Sequence, residues 1–189
     1  MATATLSEEL LYTIDDWENF PDNGNRYEII EGEVYVSTAP RFIHQLLSFR
    51  IAKKIGDYLE KNQIGEVLPA PGVVFSHKDG VIPDVVFISY ERLKLFLIAE
   101  KIQGAPELVV EILSPGKVNI ERDRKTKLKL YSRYPVEEYW IVDPMRKQIE
   151  IFRSTPQGLR PAEIFNEQDV LISPLFPDFS LSLAELFRN

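Results

Sequence analysis

The sequence predicts an α/β chain, a mixed β-sheet flanked by helices, and three observations predict it. The runs 81–88 and 108–113 are nearly continuous apolar stretches, the pattern of strands buried on both faces. The segments 44–62 and about 120–134 carry apolar residues at helical spacing. From residue 44 onward the order reads helix, three strands, helix, strand, an αβββαβ core preceded by a hairpin.

Taken in order, Thr13 with Asp16 three residues later forms a capping-box pattern, opening a short helix that stops near Pro21. Asp22-Asn23-Gly24-Asn25 is turn chemistry. Two β-prone runs, Arg26-Tyr27-Glu28-Ile29-Ile30 and Glu33-Val34-Tyr35-Val36, surround Glu31-Gly32 and read as a hairpin. In the 44–62 helix, Leu47, Ile51, Ile55, Tyr58 and Leu59 share one face, and His44 joins it from three residues before Leu47. The first of the three strands covers 66–75, broken by Pro69 and Pro71; the second is 81–88 and the third 108–113. After the second helix, Glu138-Tyr139-Trp140-Ile141-Val142 forms a strand closed by Asp143-Pro144, and 148–153 pairs back on it. Ser182 and Glu185 repeat the capping-box pattern before a short terminal helix. There are no repeats and no low-complexity tract.

The chain of 189 residues is expected to form one domain over 1–189, with ordinary globular fractions of 44% hydrophobic and 27% charged residues. With no cysteine, disulfides and thiolate metal sites are excluded, which fits a reducing cytoplasm. Met1 to Leu11 lacks a basic start and carries Glu8 and Glu9 where a signal peptide needs an apolar core. No apolar run approaches the roughly 18 residues that span a bilayer. The expectation is a cytoplasmic protein with no membrane partner. The net charge of −7, from 22 basic and 29 acidic residues, repels nucleic acid unless the basic residues gather on one face.

Two acids interrupt the buried runs: Asp84 within 82–88 and Glu111 within 108–113. A carboxylate in a buried strand is costly unless it is paired or bound to a cation, and two in neighbouring strands suit a hard divalent cation such as Mg²⁺. The plainer alternative is that each acid caps a loop or pairs with a basic residue. Asp123, Lys127 and Tyr131, spaced i, i+4, i+8, share a helical face with Leu130 and Tyr134, so Lys127 points inward toward the acids. Its alternative is a snorkelling lysine paired with Asp123. Arg122, Lys125, Lys129 and Arg133 fall on the opposite, outward face, either as a solvated stripe or as a cradle for phosphates. His44 reads more simply as a core histidine, and Glu28 and Glu31 as structural or solvated acids. Other site types are poorly supported. There is no Gly-rich phosphate loop and no G-x-S-x-G elbow, and His44 and His77 alone cannot build a zinc cluster.

These residues carry a resemblance. Pro83-Asp84 followed by Glu111 in the next strand resembles the PD-(D/E)XK nuclease superfamily. More closely, the chain resembles a large bacterial family described as "putative restriction endonucleases". The matching stretches are 26–33, the His44 helix, Ile82-Pro83-Asp84, 106–115, the Asp123/Lys127/Tyr131 spacing and 138–144, spread over roughly Tyr12 to Phe187. The resemblance implies a restriction-endonuclease-like fold in which Asp84, Glu111 and the backbone carbonyl of Ile112 bind Mg²⁺, with Mn²⁺ a possible substitute. Asp84, Glu111 and Lys127 would be catalytic, with Glu28, His44 and Tyr131 as accessories. Two residues after the second acid, where the superfamily motif has lysine, stands Leu113; in this family the lysine looks migrated to the helix, here Lys127. A smaller departure is Tyr134-Pro135, where relatives commonly carry a glycine. The implied function is a Mg²⁺-dependent endonuclease hydrolysing DNA phosphodiesters, with RNA left open and a homodimer as its assembly. The alternatives are an inactive nucleic-acid- or protein-binding module that keeps the fold, and a structural homodimer whose acids make internal salt bridges.

Overall fold

The structure, a computed structural model, describes residues 11–188. Apart from Leu11, the stretch on which the absence of a signal peptide was read lies outside the described residues.

A short 3-10 helix, Ile14–Asn19, opens the described chain, with Thr13 and Asp16 joined as a capping box. The hairpin follows as β1 (Arg26–Ile30) and β2 (Glu33–Ser37). Its two-residue turn has positive φ at both Glu31 (56°) and Gly32 (84°), the backbone of a type I′ turn whose twist suits paired strands. Helix α1 (Phe42–Asn62) buries His44, Leu47, Ile51, Ile55 and Leu59 along one stripe.

Next come β3 (Gly65–Pro69), β4 (Val73–Ser76), β5 (Asp79–Val81), β6 (Val85–Ser89), α2 (Tyr90–Phe96), β7 (Leu97–Ile98), β8 (Lys101–Ile102) and β9 (Leu108–Ile112). A helical stretch then runs through α3 (Lys117–Glu121), a π-helical segment (Arg122–Lys127) and α4 (Leu128–Arg133). The chain closes with β10 (Glu138–Asp143), β11 (Gln148–Thr155), β12 (Gly158–Asn166), β13 (Val170–Ser173), β14 (Phe176–Ser182) and α5 (Leu183–Leu186). Ser182 caps α5 by accepting the Glu185 N–H.

The main sheet has the order β12-β11-β10-β9-β6-β3, and a second sheet has the order β2-β1-β5-β4-β8-β7. In the main sheet β3, β6 and β9 run antiparallel, and β10 returns parallel to β9 after the helical stretch, as a crossover connection requires. This is the expected αβββαβ core. Two expected strands need correction. The 66–75 strand is two strands in different sheets, because Pro71 removes a ladder donor and Ala70 turns at φ 50°. The 81–88 strand is also divided: β5 belongs to the second sheet and β6 to the main one, with Ile82-Pro83-Asp84 as the crossing. Asp84 therefore stands where the chain changes sheets, not in mid-strand. The pieces α2, β7, β8 and β12 to β14 were not anticipated; β7 and β8 have two residues each, too short for any period to register.

Both faces of the main sheet are covered, which explains why β6, β9 and β10 are apolar throughout. On one face Val85, Val110 and Trp140 pack with Leu47, Ile51 and Ile55 of α1 and with Phe176 and Phe179 of β14. On the other, Val86, Val109 and Ile141 pack with Leu130 and Tyr131 of α4 and with Ile30, Val73 and Val81 of the second sheet. No helix among the described residues is long and apolar enough to cross a membrane.

Candidate active site

The second face of the main sheet leaves one polar gap, between β1, the crossing at Asp84, the end of β9 and the π-helical segment. It is a cavity of about 370 Å³ whose walls include Glu28, His44, Asp84, Glu111, Asp123 and Lys127. The β6–β9 register pairs Val85 with Val110, and its next step sets Asp84 opposite Glu111. Side chains alternate along a strand, so Val109, Glu111 and Leu113 share the face covered by α4.

Lys127 is 2% exposed, and its Nζ lies 2.9 Å from Glu111 Oε1 and 2.9 Å from Glu28 Oε1. Burial alone would lower its pKa, but Glu111, Glu28 and Asp123 outweigh that and hold the ammonium charged. Tyr131 donates its hydroxyl to the same Glu111 oxygen at 2.7 Å. Leu113 occupies the place two residues past Glu111 and packs into the apolar cluster with Leu130 and Tyr131.

Asp84 is held from three elements. The Ile112 N–H donates to its Oδ2 at 2.8 Å, His44 Nε2 lies 2.9 Å from the same oxygen, and Arg26 Nη1 lies 3.3 Å from Oδ1. Burial pushes its carboxyl up, yet His44, the Ile112 N–H and Lys127 together pull it below the usual range. Glu111 goes the other way. Burial, with Asp84, Asp123 and Glu28 close by, pushes its carboxyl up to about 8 against the pull of Lys127. Glu28 also accepts the Ile82 N–H at 2.9 Å, tying β1 to the crossing.

The cavity thus gathers four carboxylates, Glu28, Asp84, Glu111 and Asp123, with four permanent cations, Arg26, Arg41, Arg122 and Lys127. Arg26 was not anticipated. It stands two residues before Glu28, on the same strand face, and that spacing was the signal available for it.

Two expectations about the helix change. Lys127 does not snorkel to Asp123, since it is enclosed and bonded to Glu28 and Glu111. The outward stripe of Arg122, Lys125, Lys129 and Arg133 breaks up because the π-helical turn rotates residues before it relative to those after. Arg122 points inward, its Nε 3.2 Å from Asp123 Oδ1 and its Nη1 donating to Ser37 Oγ at 2.7 Å. Lys129 and Arg133 both pair with Glu31, at 3.0 and 2.6 Å. Lys125 stays at the surface, 3.4 Å from Glu121.

A family model described as "Putative restriction endonuclease" (Uma2) matches residues 13–184. The chain belongs to this family. The fold also finds a solved counterpart. A crystal structure of a protein described as a putative nuclease, from Anabaena variabilis, superposes with a TM-score of 0.76 at 20% identity, covering 93% of this chain and 97% of that one. At that identity the likeness shows the fold, which is restriction-endonuclease-like. The type IIG restriction endonuclease BpuSI also matches, with a TM-score of 0.39 and 17% identity over 80% of this chain and 16% of that one. Comparison with curated proteins found no match.

Proposed function

We propose that this member of the Uma2 family is a Mg²⁺-dependent endonuclease hydrolysing phosphodiester bonds in DNA, with Mn²⁺ able to replace Mg²⁺. The observation that carries the reading is the enclosed Lys127 ammonium 2.9 Å from Glu111, with Asp84 opposite, one residue before the neighbouring strand begins. A buried lysine among clustered carboxylates is expensive as packing and useful as chemistry.

The residues suit a hard divalent cation. Both donors to Glu111 use Oε1, leaving Oε2 without a donor among the described residues. The Ile112 N–H points at Asp84, and on a strand a residue's C=O points to the same neighbour, so the Ile112 carbonyl faces the same gap. Among the described residues no three His, Asp or Glu form a metal-holding group. That disfavours an all-protein cage and suits Mg²⁺, which keeps several waters and takes one or two carboxylates. Bound there, the ion would polarise the phosphate and acidify a water.

The chain's own residues then have separate tasks. Asp84, pinned by the Ile112 N–H, His44 and Arg26, is a fixed ligand. Lys127 offsets charge developing on the phosphate oxygens. Tyr131 and Glu28 hold Glu111 and Lys127 in place, and His44 braces Asp84 from α1. Of the four helix cations, Lys125 is held most loosely, 3.4 Å from Glu121, and is the first to meet a phosphate, while Lys129 and Arg133 would have to leave closer pairs with Glu31. A homodimer fits the exposed apolar residues Leu97 and Ile98 on β7, the edge strand of the second sheet.

The test is cleavage of supercoiled plasmid in Mg²⁺ or Mn²⁺ by wild type and Asp84→Ala. Cleavage by wild type alone is expected; equal cleavage by both, or by neither, overturns the reading. Light scattering at micromolar concentration checks the dimer, and a monomer there removes it.

A further inference from the structure

A second cavity, about 290 Å³, adjoins the first and shares Arg41, His44, Ser114 and Pro115 with it. Its character differs. The walls include Ile43, Leu113, Ile120 and Met145, and its charged residues are Arg41, Arg146, Asp143 and Arg124, the last held by Glu150 at 2.6 Å. Leu113 is the residue that fills the slot where the superfamily motif carries lysine, so the departure opens an apolar floor beside the candidate site. Ile43 is 41% exposed and Met145 84% exposed, so the mouth of this cavity is apolar too. None of these features is used by the cleavage chemistry proposed above.

Resting on that nuclease reading, we propose that the second cavity holds one unstacked nucleobase of the substrate strand, next to the phosphate bound in the first. The two cavities share a wall, so an occupant of one is a near neighbour of the other, as a base is of its own phosphate. An apolar slot flanked by guanidinium groups is what a flat, weakly polar ring beside an anionic backbone requires. The volume lies at the small end of ligand pockets and is ample for one base. A base inside a duplex is stacked and paired and must be extruded before it can enter such a pocket. The substrate class is therefore single-stranded or locally unpaired nucleic acid. The net charge of −7 agrees, since a duplex presents denser charge to an acidic protein than one strand does.

The test uses a short oligonucleotide labelled with 2-aminopurine, titrated in Ca²⁺ as single strand, as duplex, and as a strand with one abasic position. Single-strand affinity at least about fivefold above that of duplex is expected, the low end of what one stacked base contributes. The abasic strand and the surface variants Ile43→Asp and Met145→Asp should each lose that advantage while binding duplex unchanged. Equal affinity for strand and duplex, or variants indistinguishable from wild type, would overturn the proposal. Hydrolysis of bis(p-nitrophenyl) phosphate, which has no base, reads the first cavity separately. Both variants should keep it. Base-dependent binding without any hydrolysis in Mg²⁺ or Mn²⁺ would sink the nuclease reading and support the base site.

Discussion

Glu111 and Glu138 are both buried acids in adjacent parallel strands of the main sheet, and their surroundings are opposite. Glu138 Oε1 accepts Arg153 Nε at 2.7 Å, while Oε2 accepts Trp140 Nε1 and Ser173 Oγ, each at 2.8 Å. Each of its oxygens has a donor, and Arg153 bridges it to Glu163 through a separate nitrogen at 2.7 Å. Glu111 shares its cavity with Glu28, Asp84 and Asp123, and one of its oxygens takes both Lys127 and Tyr131. Glu138 shows what a carboxylate looks like when burial serves the fold. Glu111 shows a carboxyl crowded by three other acids, and a group at about 8 is one that the fold alone does not keep ionised.

The comparison breaks first on activity. Glu111→Gln and Asp84→Asn should each lower the nuclease rate about 10³-fold, the upper end of what one preorganised electrostatic group supplies. Glu138→Gln should leave the rate per folded molecule within about twofold, read by single-turnover cleavage of a labelled oligonucleotide.

Stability should invert the order. Glu138→Ala leaves Trp140 Nε1 and Ser173 Oγ without their acceptor and takes one of two carboxylates from Arg153, and we expect a loss of about 2–3 kcal/mol in urea unfolding. Glu111→Gln removes an acid that its neighbours push toward the neutral form and should change metal-free stability by under about 1 kcal/mol. A larger loss for Glu111→Gln than for Glu138→Ala would erase the distinction.

The pH dependence sharpens it. A carboxyl raised from 4.5 to about 8 on folding binds more protons folded than unfolded between those values. Its contribution to metal-free stability therefore falls as pH rises from about 5 to 8 and levels off above that. Glu111→Gln should flatten this slope. Mg²⁺ should stabilise wild type more at pH 8 than at pH 6, because binding takes the ionised form. Thermal unfolding with and without Mg²⁺ at both pH values reads both effects.

The smallest effect concerns the surface. Lys125→Ala should reduce the log-log salt slope of nucleic-acid binding by about one unit if Lys125 meets a phosphate. Lys129→Ala should do less, since its ammonium already faces Glu31. Equal slopes in both variants and wild type would return the stripe to plain surface.

Much of this was legible in the sequence because burial leaves a strong mark on strands. The αβββαβ order, the hairpin and the inward face of Asp123, Lys127 and Tyr131 all followed from periodicity and turn chemistry. The acid signal was legible but not decisive: Glu138 opens an equally apolar strand and is structural. Partners decide the difference, and they come from residues distant in sequence. The crossing at Ile82-Pro83-Asp84 was hidden because two strands of different sheets read as one apolar run. The broken basic stripe was hidden because face arguments assume a uniform helical turn, and 122–127 is π-helical. There the Tyr139 hydroxyl, in a strand 16 residues away in sequence, donates to the Asp123 carbonyl, a side chain inserted at the helix backbone.

The crossing also bears on how the protein comes into being. Arg26 and Asp84 are 58 residues apart, and Glu28 meets the Ile82 N–H across 54. Neither half of the cavity exists in either sheet by itself. Such distant pairings form slowly, after local helices and hairpins. A nascent chain exposes no assembled cavity until Lys127 and Tyr131 have left the ribosome and both sheets have docked. The arrangement of Asp84, Glu111 and Lys127 is thus a property of the completed fold, absent from any partly made chain.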